Sequence, residues 1–351
     1  MPVTDAPVLV TGAAGFVASR IVQLLLARGY RVRGTVRSLE KTGDLAPIRV
    51  LSGAAQRLEL VEADLLKEGS YDRPALGCTH VVHSASPYIL APKDPQRDLI
   101  DPAVKGTRNV LSAAARAGTI KRVVLTSSVA AITDEPDGAR VLSEEDWNVK
   151  STLHRNPYYL SKTLAEKAGW DFVTNQHPCF DLVAINPFLI VGPSVVPALN
   201  TSNQIFADLL KGVYPGVIGL TWGFVDVRDV AEAHVRALET PSASGRYLCA
   251  GETVTMRALV DMMTRLGWKK GHKLPSISLD GAFGNRIVRL LSYLQPRGVG
   301  TYLRTHLGRV PRYDNAKIRR ELGLTFRNVE TSVADTLADL ARWGHVQPRI
   351  A

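Results

Sequence analysis

The 351-residue sequence predicts an α/β fold, in which a doubly wound parallel sheet is followed by a smaller, mostly helical lobe. Short, almost uninterrupted apolar runs alternate with longer segments whose apolar residues recur at helical spacing. This alternation is typical of a parallel sheet with helices on both faces, because strands covered on both faces are apolar at nearly every position. The pattern changes after residue 190, which indicates a second lobe of different construction.

The predicted elements begin with a strand at residues 7–11 and a helix from Phe16 to Ala27. Gly29 follows that helix, where a positive φ commonly ends a helix, and a second strand is predicted at 31–36. The remaining predicted elements are strands at 58–61, 79–83, 121–126 and 180–186, and helices at 42–55, 97–116 and 157–176.

The domain organisation is predicted from the later part of the chain. Residues 187–222 are rich in proline and glycine without a clean period, whereas 224–238 has a strand-then-helix pattern and 245–250 resembles a strand. From residue 253 the chain is mostly helical and basic. We therefore expect a first domain of residues 1–190 plus about 223–250, and a smaller lobe of about 191–222 and 251–351.

Composition indicates a globular protein, with 45% hydrophobic and 22% charged residues. No apolar run has the length of a membrane span, and the N-terminus lacks a basic and then apolar signal, so we expect a cytoplasmic protein without membrane contact. The three cysteines are widely spaced, which predicts neither disulfides nor a zinc site. We expect no metal, and either a monomer or a homodimer.

The net charge of +10 comes mainly from residues 286–327, which hold ten Lys or Arg residues against Asp314 and Glu321. The segment has no recognised nucleic-acid motif, so we interpret it as a solvated helical face rather than a site for an acidic partner. A second charged region, between residues 134 and 146, contains six acidic residues and is predicted to be a solvated loop.

A glycine-rich turn, Gly12-x-x-Gly15-x-x-Ala18, joins the first strand to the first helix. Gly12 allows a sharp turn, Gly15 lets the backbone approach a pyrophosphate at the helix N-terminus, and Ala18 keeps the helix close to the strand. At the first strand–helix junction this pattern predicts dinucleotide binding on a Rossmann-type fold.

The end of the second strand predicts NADP rather than NAD. An acidic residue there would bind the ribose 2′-hydroxyl of NAD, but this chain has Arg37, which suits a 2′-phosphate. Ser38 and Lys41 stand close enough in sequence to assist. Asp64-Leu65, after the third strand, is predicted to border the adenine.

Tyr158 and Lys162 are four residues apart at the start of a predicted helix, so they share a face and Tyr159 points elsewhere. Carbonyl reduction needs an acid that protonates the developing alkoxide, and a neighbouring ammonium lowers the pKa of a phenol. Lys162 also suits the hydroxyls of the nicotinamide ribose. A hydroxyl from Thr126-Ser127-Ser128, at a strand end, would steady the substrate oxygen.

With these motifs in order, the chain resembles the extended short-chain dehydrogenases/reductases, and more narrowly the dihydroflavonol reductase-like group, which includes ketone, methylglyoxal and cinnamoyl-CoA reductases. The matching segments are TGAAGFVAS (11–19), RGTVRS (33–38), VVHSASP (81–87), KGTRNVL (105–111), RVVLTSS (122–128), YYLSKTLAEKAGW (158–170), INPFLIVGP (185–193), FVDVRDVAEAH (224–234) and YDNAKIRRELGL (313–324).

The resemblance implies a catalytic triad of Ser128, Tyr158 and Lys162, with Ser128 preferred because the family's active serine ends the TSS run. It places Asn109 on a helix behind the site and implies that Asp229 braces the strand-to-helix turn of residues 224–234. The expected NADP(H) contacts, from the motifs and the resemblance together, are Gly12, Gly15, Phe16, Val17, Arg37, Lys41, Asp64, Leu65, Ser84, Ala85, Ser86, Tyr158, Lys162 and Pro187. The implied substrate contacts are Ser86, Tyr88, Thr133 and Phe188, beside residues 195–222.

Two differences from the sequence patterns of family members limit the range of expected substrates. Flavonoid-reducing members have Asn where this chain has Thr133, and cinnamoyl-CoA enzymes have an NWYCYGK-type run where it has NPYYLSK. An NADPH-dependent reductase of small or aromatic ketones and aldehydes fits better. The alternatives are a sugar-nucleotide epimerase or dehydratase, a hydroxysteroid dehydrogenase and a non-catalytic NADP-sensing protein; Arg37 disfavours the first two, and the intact triad disfavours the third.

Overall fold

The computed structural model describes residues 5–40, 42–86, 93–136 and 138–349. The strands in this part of the chain are β1 (Val8–Thr11), β2 (Val32–Val36), β3 (Leu58–Glu62), β4 (His80–His83), β5 (Arg122–Thr126), β6 (Val141–Leu142), β7 (Asp181–Pro187), β8 (Leu189–Val191), β9 (Val217–Ile218), β10 (Thr221–Asp226), β11 (Gly245–Cys249), β12 (Glu252–Thr255), β13 (Ser278–Leu279) and β14 (Arg312–Tyr313).

The α-helices in the same part of the chain are α1 (Phe16–Ala27), α2 (Thr42–Arg49), α3 (Ala54–Arg57), α4 (Asp72–Ala75), α5 (Asp101–Ala117), α6 (Pro157–Gln176), α7 (Thr201–Lys211), α8 (Val227–Glu239), α9 (Met256–Arg265), α10 (Ala282–Leu291), α11 (Arg297–His306), α12 (Ala316–Leu322) and α13 (Val329–Arg342). A π-helical turn precedes α5, and short 3-10 turns follow β5 and α10.

Seven parallel strands form the main sheet, in the order β3-β2-β1-β4-β5-β7-β11. This order is that of a doubly wound sheet, which reverses direction between β1 and β4. β1 is buried at every position, and the apolar face of α1, including Ile21, Val22 and Leu25, packs into the same core. The predicted α/β fold with a further C-terminal region is therefore confirmed.

Two helix predictions were too long. The segment 42–55 forms two helices, α2 and α3, separated by a turn in which Gly53 has a φ of +82°. The segment 97–116 begins as a π-helical turn and becomes a regular α-helix only at Asp101. Pro102 has no N–H to donate one turn back, so the α-helical hydrogen bonding starts anew there.

The region after β7 builds three small sheets. β10 pairs antiparallel with β12 and parallel with β8, while β13 pairs with β9 and β14 with β6. A separate apolar core, which includes Phe206, Trp222 and Met256, lies among these elements. β11 instead joins the edge of the main sheet beside β7, and α8 packs against α1. The sequence analysis missed α7, within the proline- and glycine-rich segment.

The basic segment 286–327 is only partly a solvated face. Arg286, Arg319 and Arg320 are exposed, as expected. Arg309 instead pairs with Glu135, and the Lys317 ammonium donates to main-chain carbonyls after α8. Part of the positive charge therefore holds the molecule together. None of the helices in the described ranges is long and apolar enough to cross a membrane.

Candidate active site

The predicted site residues come together at the carboxyl-terminal edge of the main sheet, although they are far apart in the chain. The adjacent strands β1, β4, β5 and β7 end at Thr11, His83, Thr126 and Pro187. The glycine loop, the segment after β4 and the serine pair after β5 therefore emerge at one edge. Open α/β sheets bind ligands at this edge.

The glycine loop has the geometry of an anion cradle. Gly12 has a φ of +67°, and a Cβ atom there would lie 3.1 Å from the Cβ of Ala85. Gly15 caps α1 without a side-chain hydrogen bond, and the first turn carries no acidic residue. The amides of Phe16 and Val17 have no acceptor within the helix, so they are oriented for a pyrophosphate.

The segment after β4 is fixed against the end of β1. The Thr11 hydroxyl accepts the amides of Ser84 and Ala85 at 3.1 and 3.0 Å, and it lies 2.9 Å from Nδ1 of His83. Burial, with a smaller contribution from the Lys162 charge, lowers the pKa of His83 to about 3. The ring is therefore neutral, and this part of the predicted cofactor site is held by a hydrogen-bonded hydroxyl.

The residues predicted to bind the adenosine end are exposed at the ends of β2 and β3. Arg37 forms no hydrogen bond or ion pair with any residue the structure describes, and the Asp64 carboxylate is also exposed. The carbonyl of Leu65 accepts a hydrogen bond from Nδ2 of Asn109 at 3.0 Å, which fixes this loop to α5. Lys41 lies outside the described residues. An unpaired guanidinium fits a 2′-phosphate, and its role stays a prediction.

Tyr158 and Lys162 lie on the first turns of α6. The helix starts at Pro157, preceded by Asn156 with a φ of +48°. The ammonium nitrogen of Lys162 is 5.9 Å from the centre of the Tyr158 ring. Burial lowers the pKa of Lys162 to about 8, so its proton is exchangeable near neutral pH.

The Tyr159 ring meets the Tyr158 ring edge to face, with ring centres 6.0 Å apart and an interplanar angle of 88°. The Tyr159 hydroxyl lies 3.5 Å from Nε2 of His306 in α11, and the His306 ring stacks on Tyr302. Burial raises the pKa of Tyr159 well above its ordinary value. Tyr159 therefore connects α6 to α11.

The two serines after β5 differ in their hydrogen bonds. The buried Ser127 hydroxyl donates to Oε2 of Glu166 at 2.5 Å. The half-buried Ser128 hydroxyl accepts the amide of Ala130 at 3.1 Å, and its proton has no acceptor among the described residues. This geometry is compatible with Ser128 rather than Ser127 as the serine that contacts a substrate.

Glu166, which the sequence analysis missed, connects four elements beneath the site. Its buried carboxylate accepts from Ser127, from Nδ2 of Asn186 at 2.8 Å, from Nε of Arg246 at 2.6 Å and from the Trp170 indole at 3.1 Å. Asn186 Nδ2 also donates to the carbonyl of Ser128. The sequence signal was Glu166 four residues after Lys162, on the same helix face.

The acidic region 134–146 is not uniformly solvated. Asp134 is only 1% exposed and accepts hydrogen bonds from three side chains. Glu144 is also buried and accepts the amide of Leu248 at 2.8 Å. The expectation of a solvated loop was wrong for these two residues, because their partners come from distant parts of the chain.

The brace at the β10–α8 turn is Asp226, not Asp229. Asp226 caps α8 by accepting the amide of Arg228 at 2.8 Å. Asp229 instead accepts the amide of Arg327 at 2.7 Å and pairs with its guanidinium. Asp229 therefore anchors the segment that leads into α13.

The predicted substrate residues lie above the same edge. Ser86, Thr133 and Phe188 are half-buried, whereas Tyr88 lies outside the described residues. The Phe188 ring is 5.3 Å from the ring of Tyr313, which the sequence analysis did not single out. The substrate roles of these residues stay predictions. Over the described ranges, no group of three His, Cys, Asp or Glu residues is arranged to hold a metal ion.

The sheet order and the glycine loop indicate a family of dinucleotide-binding enzymes, and a comparison with models of protein families identifies it. Residues 8–250 match the model described as the NAD dependent epimerase/dehydratase family. The chain belongs to this family. The expected membership of the extended short-chain dehydrogenases/reductases is confirmed.

This family member is similar to several reductases. It is 45% identical to cinnamoyl-CoA reductase CAD2 of Medicago truncatula over 70% of its length and 76% of the relative. It is 35% identical to tetraketide alpha-pyrone reductase 1 of Arabidopsis thaliana, over 97% and 96% of the two chains. The structure of yeast methylglyoxal/isovaleraldehyde reductase Gre2 with NADPH superposes with a TM-score of 0.80 at 29% identity, over 97% of this chain and all of that one. The protein is thus an NAD(P)-dependent reductase of the extended family.

Proposed function

We propose that this reductase converts a small or aromatic ketone or aldehyde to the alcohol, with NADPH as the hydride donor. The observation that carries the proposal is the pair of Tyr158 and Lys162, one helical turn apart at the sheet edge where the glycine loop emerges. A phenol beside a buried ammonium is suited to protonate an alkoxide.

The side chains divide the reaction between them. Ser128 donates a hydrogen bond to the substrate oxygen, since its proton has no acceptor among the described residues. Tyr158 delivers the proton to the same oxygen, and Lys162 stabilises the phenolate that is left. NADPH, when bound, supplies the hydride. Because the pKa of Lys162 is about 8, this residue also exchanges the proton that restores Tyr158.

The cofactor preference rests on Arg37. Its exposed guanidinium stands at the end of β2 without a partner among the described residues. A 2′-phosphate would pair with it through charge-assisted hydrogen bonds, whereas NAD would leave it unused. The related Gre2 structure with NADPH supports the same preference. We further propose that residues 1–190 with 223–250 carry the cofactor, and that 191–222 with 251–351 complete the substrate pocket.

The substrate class is inferred from the predicted walls of the pocket. Phe188 and Tyr313 pack ring against ring beyond the end of β7. Aromatic walls favour apolar or aromatic substrates. Thr133 stands where flavonoid-reducing relatives have Asn, so a flavonoid is not the proposed substrate.

The test is the oxidation of NADPH, followed by its absorbance, with a panel of ketones, aldehydes, diketones and UDP-sugars, repeated with NADH. We expect turnover of ketones or aldehydes, and faster turnover with NADPH. Absence of turnover on every carbonyl, with tightly bound NAD in the purified protein, would contradict the proposal and favour an epimerase. Arg37→Asp should lower the preference for NADPH, whereas the matched control Arg31→Asp, which removes an exposed arginine just before β2, should leave the preference unchanged.

A further inference from the structure

Asp134 is a buried carboxylate six residues after Ser128, outside the machinery described so far. Oδ2 accepts the Ser151 hydroxyl at 2.7 Å and Nε of Arg155 at 3.0 Å, and Oδ1 accepts Nδ2 of Asn156. A carboxylate is an acceptor-only group, and here three donors converge on it. The site therefore selects Asp over residues that also donate.

Asn156 is the residue through which this carboxylate reaches the catalytic helix. It occupies the N-cap of α6 with a φ of +48°, a conformation that Asn tolerates better than most residues. Its carbonyl accepts the amides of Tyr159 and Leu160, at 2.9 and 3.2 Å. Its side chain does not cap the helix and binds Asp134 instead. Tyr158 follows two residues later.

The hydrogen bond from Asn156 to Asp134 therefore connects two chain segments that each contain a proposed catalytic hydroxyl. One segment runs from Ser128 to Asp134, and the other from Asn156 to Tyr158. The 3-10 turn after Ser128 packs against α6, and Nδ2 of Asn148 donates to Ala130 in that turn at 2.8 Å. The first segment is thus held against α6, and the Asp134 carboxylate connects it to Asn156 in the second.

Residues from α11 and from the segment after it contact Asn156 and the neighbouring Glu135. Asn156 Nδ2 also lies 3.3 Å from the Thr305 hydroxyl in α11. The neighbouring Glu135 accepts from Arg155 at 2.6 Å and from Lys150 at 3.3 Å, and it pairs with Arg309. Glu135 shares Arg155 with Asp134 but has no hydrogen bond to Asn156. Replacing Glu135 is therefore the matched control for loss of charge and of ion pairs.

We propose that Asp134 is a positioning residue, which sets the separation of the Ser128 and Tyr158 hydroxyls by holding the first turn of α6 through Asn156. The inference rests on the proposed roles of those two hydroxyls. Reacting groups displaced by about 1 Å commonly lose about a hundredfold in rate, so a single buried contact at this place has kinetic consequences.

The test compares Asp134→Leu, which removes every acceptor, with Asp134→Asn and the control Glu135→Leu. For Asp134→Leu we expect kcat to fall about tenfold to a hundredfold, with little change in the KM for NADPH. Asp134→Asn should recover much of kcat, because its amide can pair with a reversed Asn156 amide. The solvent deuterium isotope effect on kcat should rise in Asp134→Leu and not in Glu135→Leu, since proton delivery becomes slower.

A second variant tests the same hydrogen bond in case Asp134→Leu does not fold. Asn156→Gly keeps the positive φ and removes the same hydrogen bond from the other side, so it should reproduce the kcat defect. Crystal structures of this variant and the wild type should differ in the distance between the Ser128 and Tyr158 hydroxyls. Unchanged kcat and unchanged distance in folded variants would overturn the proposal. If the wild type reduces no carbonyl, the proposed function fails, and the measured distance alone decides whether Asp134 positions Tyr158.

Discussion

The ammonium nitrogen of Lys162 stands 5.9 Å from the centre of the Tyr158 ring, one turn further along the same helix. This helix places a cation whose pKa is lowered to about 8 by burial beside a phenol. We propose that the two side chains act as one acid–base unit, because a charge at this distance changes the proton affinity of its neighbour.

Replacing Tyr158 with Phe removes the proposed proton donor and keeps the ring. We expect kcat for carbonyl reduction to fall at least about a hundredfold, the lower range for general acid catalysis, with NADPH affinity little changed. Steady-state kinetics and fluorescence titration with NADPH measure the two quantities. Tyr159→Phe is the control, since its hydroxyl faces His306. Full activity in Tyr158→Phe would show that another group protonates the product.

The rate of reduction should depend on the protonation of Lys162. Because its pKa is about 8, the ammonium is present below that pH and is lost above it. We expect kcat for reduction to decline as pH rises through about 8. Lys162→Met should be much less active and should lack this limb. A wild-type profile that stays flat across this range would be incompatible with the assignment.

Arg37→Asp should reverse the cofactor preference. A charge-assisted hydrogen bond contributes about 1.5–3 kcal/mol, so the loss for NADPH should be about tenfold to a hundredfold in KM, with a smaller change for NADH. The exposed side chain has no partner in the described chain, so the thermal midpoint should stay the same. Unchanged NADPH affinity would remove the argument for a 2′-phosphate site at Arg37.

Gly34 lies in β2, outside the glycine loop, but Gly34→Ala should weaken cofactor binding by displacing that loop. A Cβ atom at Gly34 in β2 would lie 2.7 Å from the Cβ of Ala13 and 3.1 Å from a methyl of Leu60. Overpacking of this kind costs about 1–3 kcal/mol of stability and forces Ala13 in the glycine loop to shift, so we expect the Kd for NADPH to rise about tenfold. Gly281→Ala, with nothing within 4 Å of the added atom, is the control. Equal affinity in both variants would mean that the loop tolerates displacement.

Three buried neutral histidines should make the fold sensitive to acid. Burial lowers the pKa of His83 to about 3 and those of His234 and His306 to about 4. The unfolded chain takes up these protons near pH 6.5, so the free energy of unfolding should fall as pH decreases below that value. Each histidine contributes up to about 1.4 kcal/mol per pH unit. Urea titrations of wild type and His234→Gln should show a shallower decline in the variant, whereas the exposed His154→Gln should match wild type.

The sequence predicted those features of the fold and the site that depend on residues close together in the chain. The strand at Val8–Thr11 is an uninterrupted apolar run, and the shared face of Tyr158 and Lys162 follows from their spacing alone. Asp134 was misjudged and Glu166 was missed, because most of the donors that surround them come from other segments of the chain, and no sequence pattern shows that these donors converge. The acidic sequence around Asp134 suggested solvent exposure, and only the fold shows that donors surround Asp134 and Glu166.

Within the smaller lobe, α7 was missed for a different reason. Its apolar face, including Phe206 and Leu210, has helical spacing, and Asn200 caps it through the amide of Asn203. The proline- and glycine-rich residues around it obscured this short pattern. The segment 42–55 shows the opposite error, because helical composition continued across a turn that Gly53 imposes.

The position of β11 at the edge of the main sheet has a consequence for biosynthesis. Its partner β7 ends at Pro187, and the strands and helices from β8 to α8 are translated before Gly245. At about 5–20 residues per second, one side of β7 stays unpaired for several seconds on the ribosome. An open strand edge is a template for aggregation, so a nascent chain interrupted before Gly245 should be a chaperone client and, once released, should precipitate.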